Sequence, residues 1–229
     1  MNFVFDVDGT LTPSRGKIDV EFEKFFLDFC SNDSVYLVTG SDYAKTLEQV
    51  GEKVCRSVKG IFNCSGNVYT RKGFVIYKND FALTDDETSH LEEELNRSGF
   101  SVRTGNHIEK RIGMVNFSIV GRNATKAERE QYKIWDENMN ERVAICHRLN
   151  QMFTRLECVV GGETGIDISL RGNNKAQVRD YLPNDTLVFF GDRCEFGGND
   201  YPLARVSDIV YHVSDWRETW KILKENHDG

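Results

Sequence analysis

Only three prolines occur in these 229 residues and no long low-complexity tract is visible, which confines expected disorder to termini and loops. Six cysteines are present (Cys30, Cys55, Cys64, Cys146, Cys158 and Cys194), with no Cys-x-x-Cys pair among them. They read as reduced, mostly buried small hydrophobes of a cytoplasmic protein. No apolar run approaches the length of a membrane span, and the N-terminus has neither the basic flank nor the long apolar core of a secretion signal. Positive charge is in deficit, 29 Lys and Arg against 36 Asp and Glu for a net charge of −7. That balance argues against general nucleic-acid or anionic-membrane binding and leaves a local basic pocket open. There is no internal repeat, and His90, His107, His147, His212 and His227 show no metal-ligand spacing. The hydrophobic content of 39% is enough for a core, and the length suits one large domain or two small ones.

The most informative stretch is Phe3-Val4-Phe5-Asp6-Val7-Asp8-Gly9-Thr10-Leu11-Thr12. Its apolar run reads as a buried strand ending in two carboxylates one residue apart. Where the chain turns at a strand's C-terminal end, both carboxylates can reach one crevice, and Gly9 lets backbone approach a ligand closely. The crevice beyond the strand ends is where ligands sit in open parallel α/β sheets. Two carboxylates there suit Mg²⁺, a hard cation that prefers oxygen. One carboxylate can attack phosphorus to form an aspartyl-phosphate while the other moves protons.

Along the chain, Asp19 is placed to cap a helix carrying Phe22, Phe25, Phe26 and Phe29 at helical spacing. Val35–Val38 reads as a strand running into Thr39-Gly40-Ser41-Asp42, followed by a helix that Gly51 should stop. Gly60–Cys64 reads as a third strand, and Val68–Tyr77 as a hairpin turning at Lys72-Gly73. From about residue 80 the pattern changes. A charged helix over Thr84–Arg97 precedes strand-like segments at Phe100–Arg103, Gly113–Val120, Leu156–Val160 and Gly165–Ser169. A capping box at Thr125–Glu128 opens a helical stretch toward Phe153. After Gly172 the alternation resumes with a helix over Lys175–Leu182, strands at Thr186–Phe190 and Ile209–His212, and a final helix in which Trp216 and Trp220 pack inward. The expected architecture is α/β: a discontinuous parallel-sheet core, Rossmann-like, over 1–80 and 172–229, interrupted by an α+β cap over 81–171. Domain closure over a cleft would exclude water.

Four segments would converge on the core's C-terminal edge. Asp6 and Asp8 are the first. Thr39 and Ser41 offer hydroxyls and N–H groups at a helix N-terminus, a natural phosphate site. Lys175 can neutralise charge on a phosphoryl group and its nucleophile. Asp192 is a further metal contact, with Asp200 of Gly197-Gly198-Asn199-Asp200 in the same shell.

These residues resemble, in order and in strand context, motifs I to IV of the haloacid dehalogenase superfamily of phosphotransferases, in which the position of Asp6 is the nucleophile and that of Asp8 the acid/base. Within it the chain is similar nearly end to end to the eukaryotic-type phosphomannomutases. The likeness is carried by Asp6–Arg15, Gly40–Tyr43, Arg111–Asn116, Gly121-Arg122, Glu128-Arg129, Gly161 through Asp167, and Phe189 through Asp200. It implies interconversion of mannose 1-phosphate and mannose 6-phosphate with Mg²⁺ and a hexose 1,6-bisphosphate activator. Metal ligands are expected among Asp6, Asp8, Asp192 and Asp200. It also implies a substrate-binding set of Arg15, Arg111, Arg122, Arg129 and Asp167, and a homodimer formed through the caps. Arginine suits this task because it grips phosphate bidentately and keeps its charge. The sequence departs from the family at Gly165, a substrate-binding position where a serine is expected. The rival enzyme reading is a sugar-phosphate phosphatase using the same nucleophile. A non-enzymatic phosphosugar-binding module is disfavoured by the presence of Asp6, Asp8, Lys175 and Asp192 together.

Overall fold

The computed structural model describes residues 1–14 and 16–227, with the backbone alone for Asn226 and His227. The chain divides into two compact units, 1–78 with 173–229, and 79–172, within two residues of the expected 1–80 with 172–229, and 81–171.

The first unit begins with β1 (Asn2–Asp6), whose Val4 and Phe5 are fully buried. Asp19 caps α1 (Val20–Asn32) by accepting from the N–H groups of Glu21 and Phe22, and the helix buries Phe22, Phe26 and Phe29. Phe25 is only partly buried. β2 (Ser34–Val38) leads to α2 (Tyr43–Ser57), capped by Asp42. Gly51, expected to stop this helix, interrupts it with φ 80° and ψ 162°, after which it resumes to Ser57. Val54 and Cys55 beyond the break are buried, so core packing continues the helix that the glycine would otherwise end. β3 (Gly60–Asn63) is followed by the hairpin of β4 (Val68–Arg71) and β5 (Phe74–Lys78). It turns where expected, at Lys72 and Gly73, both with positive φ.

The second unit holds α3 (Asp85–Arg97), β6 (Ile108–Arg111), β7 (Met114–Phe117), α4 (Lys126–Met139), α5 (Glu141–Met152), β8 (Leu156–Gly161) and β9 (Gly165–Leu170). Its antiparallel sheet has the order β6-β7-β9-β8. Val115, Phe117, Cys158, Ile166 and Ile168 cluster with Leu91, Tyr132, Ile145 and Leu149 from the three helices. The alternation of a strand then leaves Glu109, Asn116, Asp167 and Val159 in one row on the other face.

Two expectations fail in this unit. Phe100–Arg103 is not a strand. The Arg103 guanidinium donates to the carbonyls of Leu95, Ser98, Phe100 and Val102, and so ties the segment to the end of α3 instead of to a neighbouring strand. The helical stretch toward Phe153 is broken in two by Asn140, at φ 52°, a conformation asparagine tolerates better than most residues.

The chain returns to the first unit through α6 (Gln177–Tyr181), β10 (Leu187–Gly191), α7 (Tyr201–Ala204), β11 (Ile209–His212) and α8 (Trp216–His227). The seven-stranded sheet has the order β11-β10-β1-β2-β3-β4-β5, parallel from β11 to β3 and antiparallel beyond. Aromatic packing fastens the layers: Phe5 stacks on Phe190 at 4.7 Å and meets Phe26 edge-on at 5.2 Å, and Phe22 stacks against Trp216 and Trp220. Because β1, β2 and β10 run the same way, Asp6, Thr39 and Asp192 emerge at one edge. No helix among the described residues is long and apolar enough to cross a membrane.

Candidate active site

The turn after β1 is bound to itself. The Val7 carbonyl accepts from the N–H groups of Thr10, Leu11 and Thr12, and Gly9 N–H donates to the Thr12 carbonyl at 2.9 Å. Gly9 has φ +85°, and a Cβ there would collide with the Asp192 carboxylate, so glycine serves both the turn and the close approach of β10's loop.

At the end of β1, Asp6 is 3% exposed. Lys175, 1% exposed, lies two residues before α6 and donates through Nζ to Asp6 Oδ1 at 2.5 Å and to Asp200 Oδ1 at 2.6 Å. Asp200 also accepts from the Arg193 N–H at 3.1 Å. Carboxylate oxygens of Asp6, Asp192 and Asp200 lie within 4.8 Å of one another. Burial, and then the charge of Asp200, raise the Asp6 carboxyl above its ordinary range against the opposing pull of Lys175. The same two causes push Asp192 up to about 6. Burial would lower Lys175, but the charges of Asp200 and Asp6 outweigh it and hold the ammonium firmly protonated. Three carboxylates share one lysine, so the cluster carries surplus negative charge on hard oxygen donors. That donor set fits a divalent cation such as Mg²⁺.

Asp8 does not join this trio. Its Oδ1 accepts from Gln49 Nε2 at 2.8 Å, and Gln49 is 2% exposed on α2. Asp6 thus meets the Lys175 ammonium, while Asp8, two positions on, accepts from the Gln49 amide. Gln49 was missed by motif reading. The available signal was a glutamine on the helix face that also buries Thr46, Val50 and Val54.

Thr39 is 1% exposed, and its hydroxyl accepts from the Ser41 N–H at 3.1 Å. Asn63 at the end of β3 steadies this loop, donating to Thr46 Oγ1 at 2.9 Å and to the Ser41 carbonyl at 3.4 Å.

The remaining site candidates belong to the second unit, except Arg15, which lies outside the described residues. Arg111 donates to Glu109 Oε2 through Nε at 2.9 Å and Nη2 at 2.6 Å, and Arg122 Nε lies 3.0 Å from the same oxygen. Burial pushes the Glu109 carboxyl upward, but hydrogen bonds and charge from Arg111, then Arg122, leave it below its ordinary range. Arg129 donates to the carbonyls of Ala124 and Arg122. Arg122 feels the charges of Glu109, Arg111, Arg129 and Asp167, so the structure brings this set together. Asp167 Oδ1 accepts from Asn116 Nδ2 at 2.6 Å. Glu109 lies outside the motifs, and Asn116 closes the Arg111–Asn116 segment without a role of its own being read there.

A mixed sheet whose parallel strand ends gather an acidic trio and a buried lysine has the fold of the haloacid-dehalogenase-like hydrolases. A haloacid dehalogenase-like hydrolase from Bacteroides thetaiotaomicron superposes with a TM-score of 0.63 over 98% of both chains, at 12% identity that speaks for the fold alone. The profile for eukaryotic phosphomannomutase matches residues 22–228. Phosphomannomutase of Dendrobium officinale is 32% identical over 220 residues, covering 92% of this chain and 87% of the relative. Phosphomannomutase 1 of Dictyostelium discoideum is 30% identical, covering 97% and 94%. The chain belongs to the eukaryotic phosphomannomutase family.

Proposed function

We propose that this protein interconverts mannose 1-phosphate and mannose 6-phosphate through a phosphorylated Asp6. The observation that carries the reading is Lys175 buried between Asp6 and Asp200 beside Asp192, at the end of β1, in a chain of this family. An Asp6 oxygen attacks the phosphorus of a hexose 1,6-bisphosphate activator, and the bond from phosphorus to the sugar oxygen breaks. Asp8 supplies the proton that the leaving oxygen takes up. In the second half-reaction Asp8 removes a proton from a hydroxyl of the bound monophosphate, and that oxygen takes the phosphoryl group back from Asp6. Lys175 offsets negative charge at the nucleophile, and the Thr39–Ser41 loop offers donors to the phosphoryl oxygens. Mg²⁺ would be held by Asp6 and Asp192 with Asp200 alongside, and when bound it supplies charge neutralisation at the transferring phosphoryl.

Arg111, Arg122, Arg129 and Asp167 are assigned to the sugar phosphate, with Arg15 added by family resemblance. Cys30, Cys55, Cys146, Cys158 and Cys194 are free thiols, four of them buried, and support a cytoplasmic setting. Exposed Ile134, Met139 and Val143 on the second unit support a homodimer formed there.

The test is ³¹P NMR of the purified protein with mannose 1-phosphate, Mg²⁺ and catalytic hexose 1,6-bisphosphate. Mannose 6-phosphate should accumulate faster than free phosphate, only with the activator, and not in Asp6→Asn. Free phosphate as the dominant product would overturn the mutase in favour of a sugar-phosphate phosphatase.

A further inference from the structure

Gly165 and Gly161 face each other across β8 and β9, and neither adopts a positive φ. Backbone conformation therefore does not require glycine at either position. Space does. A Cβ at 161 would run into the Asp167 carboxylate, and one at 165 would lie 2.5 Å from Asn116 Nδ2 and 3.0 Å from its Oδ1. The two glycines make room for one pair of side chains, the Asn116 amide on β7 and the Asp167 carboxylate on β9, which are register partners joined at 2.6 Å.

That pair is held at a cost. Asn116 is 3% exposed, and its Oδ1 has no hydrogen-bond partner among the described residues. A buried acceptor left unsatisfied is destabilising, because it has given up its water without gaining a donor. Apolar side chains of similar volume would fill the same place without that cost, so stability does not explain the amide. Orientation does: the amide turns its donor to Asp167 and leaves its own acceptor unsatisfied. The row continues through Glu109, the register partner of Asn116, which joins Arg111 and Arg122.

We infer that Asn116 is the positioning residue for Asp167 in sugar recognition, and that it does so from the space a side chain at 165 would occupy. The inference rests on the mannose-phosphate reading above. On this account Gly165 is not a lost contact. It is the condition for an amide–carboxylate pair that fixes the direction in which Asp167 accepts from a sugar hydroxyl. Fixing that direction is what discriminates epimers, because a hydroxyl on the wrong face leaves a buried polar group unpaired.

The experiment measures kcat and KM for mannose 1-phosphate and glucose 1-phosphate in the activator-dependent assay, and for acetyl phosphate hydrolysis, which presents no sugar hydroxyl. Asn116→Leu should lower kcat/KM for mannose 1-phosphate about tenfold, mostly through KM, and shrink the mannose-to-glucose preference. The loss should exceed that for acetyl phosphate several-fold. Gly165→Ser should cause a similar loss by pushing the amide off Asp167. The double variant Gly165→Ser/Asn116→Ala relieves that clash and should do better than the product of the losses of Gly165→Ser and Asn116→Ala measured singly. The inference is overturned if Gly165→Ser keeps or improves kcat/KM, or if Asn116→Leu lowers all substrates equally, as a merely structural defect would. A wild-type protein that hydrolyses acetyl phosphate but turns over neither hexose phosphate would instead overturn the mannose-phosphate reading itself.

Discussion

Lys175→Met removes one ammonium from the centre of the acidic cluster and keeps most of the stem's volume. The side chain is 1% exposed, and its partners Asp6 and Asp200 are buried as deeply, so water cannot replace it. Breaking a buried pair by deleting one partner costs about 3–5 kcal/mol, because the other charge stays buried without compensation. Here the lower end applies. Asp6 already has a raised pKa, and taking up a proton is a cheaper response than remaining charged. About 3 kcal/mol in a chain of this size corresponds to a fall in Tm of roughly 6–12 °C.

The measurement is calorimetric unfolding in EDTA at about pH 8. The loss should shrink toward about pH 5 as the carboxyls take up protons. The second variant Lys175→Met/Asp200→Asn removes one of the stranded charges and should recover at least half of it. A fall of less than about 2 °C in EDTA at about pH 8 would refute the claim that the lysine offsets buried negative charge.

Divalent-cation binding should strengthen with pH, since Asp192 titrates at about 6 against an ordinary 3.8 and the metal needs the carboxylate form. Titration calorimetry in buffers of different ionisation enthalpy should detect protons released on binding. A raised folded-state pKa also means that the metal-free protein loses stability on this group's account as pH rises from about 4 to about 6, because the folded state there holds the proton that the unfolded state has released, and unfolding scans over that window would register it. Gln49→Leu removes the amide that donates to Asp8 Oδ1 and should lower kcat about tenfold. It should leave Tm unchanged or higher, because Gln49 Oε1 is buried with no partner among the described residues. Arg142→Ala strips donors from Asp136 Oδ2 and from the Gly162 and Gly165 carbonyls. It should destabilise the second unit by about 3 kcal/mol in thermal unfolding.

The catalytic edge was legible because its residues stand at punctuation. Asp6, Thr39 and Asp192 follow short apolar runs, and in a parallel sheet every such run delivers its next residue to the same edge. Residues that act from the middle of an element carry no such mark. Gln49 is one turn among several in α2, and its role emerges only once α2 packs with its buried face toward the turn after β1. Glu109 is one acid in a charged chain until β6 sets it between two arginines. Phe100–Arg103 shows the opposite failure. Its alternation is that of a strand, but strands need partners, and Arg103 claims the local carbonyls first. Asn140 ends α4 with neither glycine nor proline, so the capping box at Thr125 announced a start with no matching stop.

Formal charge misleads most where chemistry is densest. A net charge of −7 suits poorly a protein that handles sugar phosphates, if charge is taken as a property of the whole surface. Within a Debye length of about 8 Å it is local composition that a dianion meets. In the second unit Arg111 and Arg122 converge on one carboxylate, so two cations share a single anion and the set keeps a positive remainder. Glu109 holds both guanidiniums in place while neutralising only part of their charge. In the first unit the surplus is negative, three carboxylates to one lysine, and a cation must make up the difference before a phosphoryl group can approach. The two units thus solve opposite electrostatic problems with residues whose charges nearly cancel in the total, and composition alone could register neither.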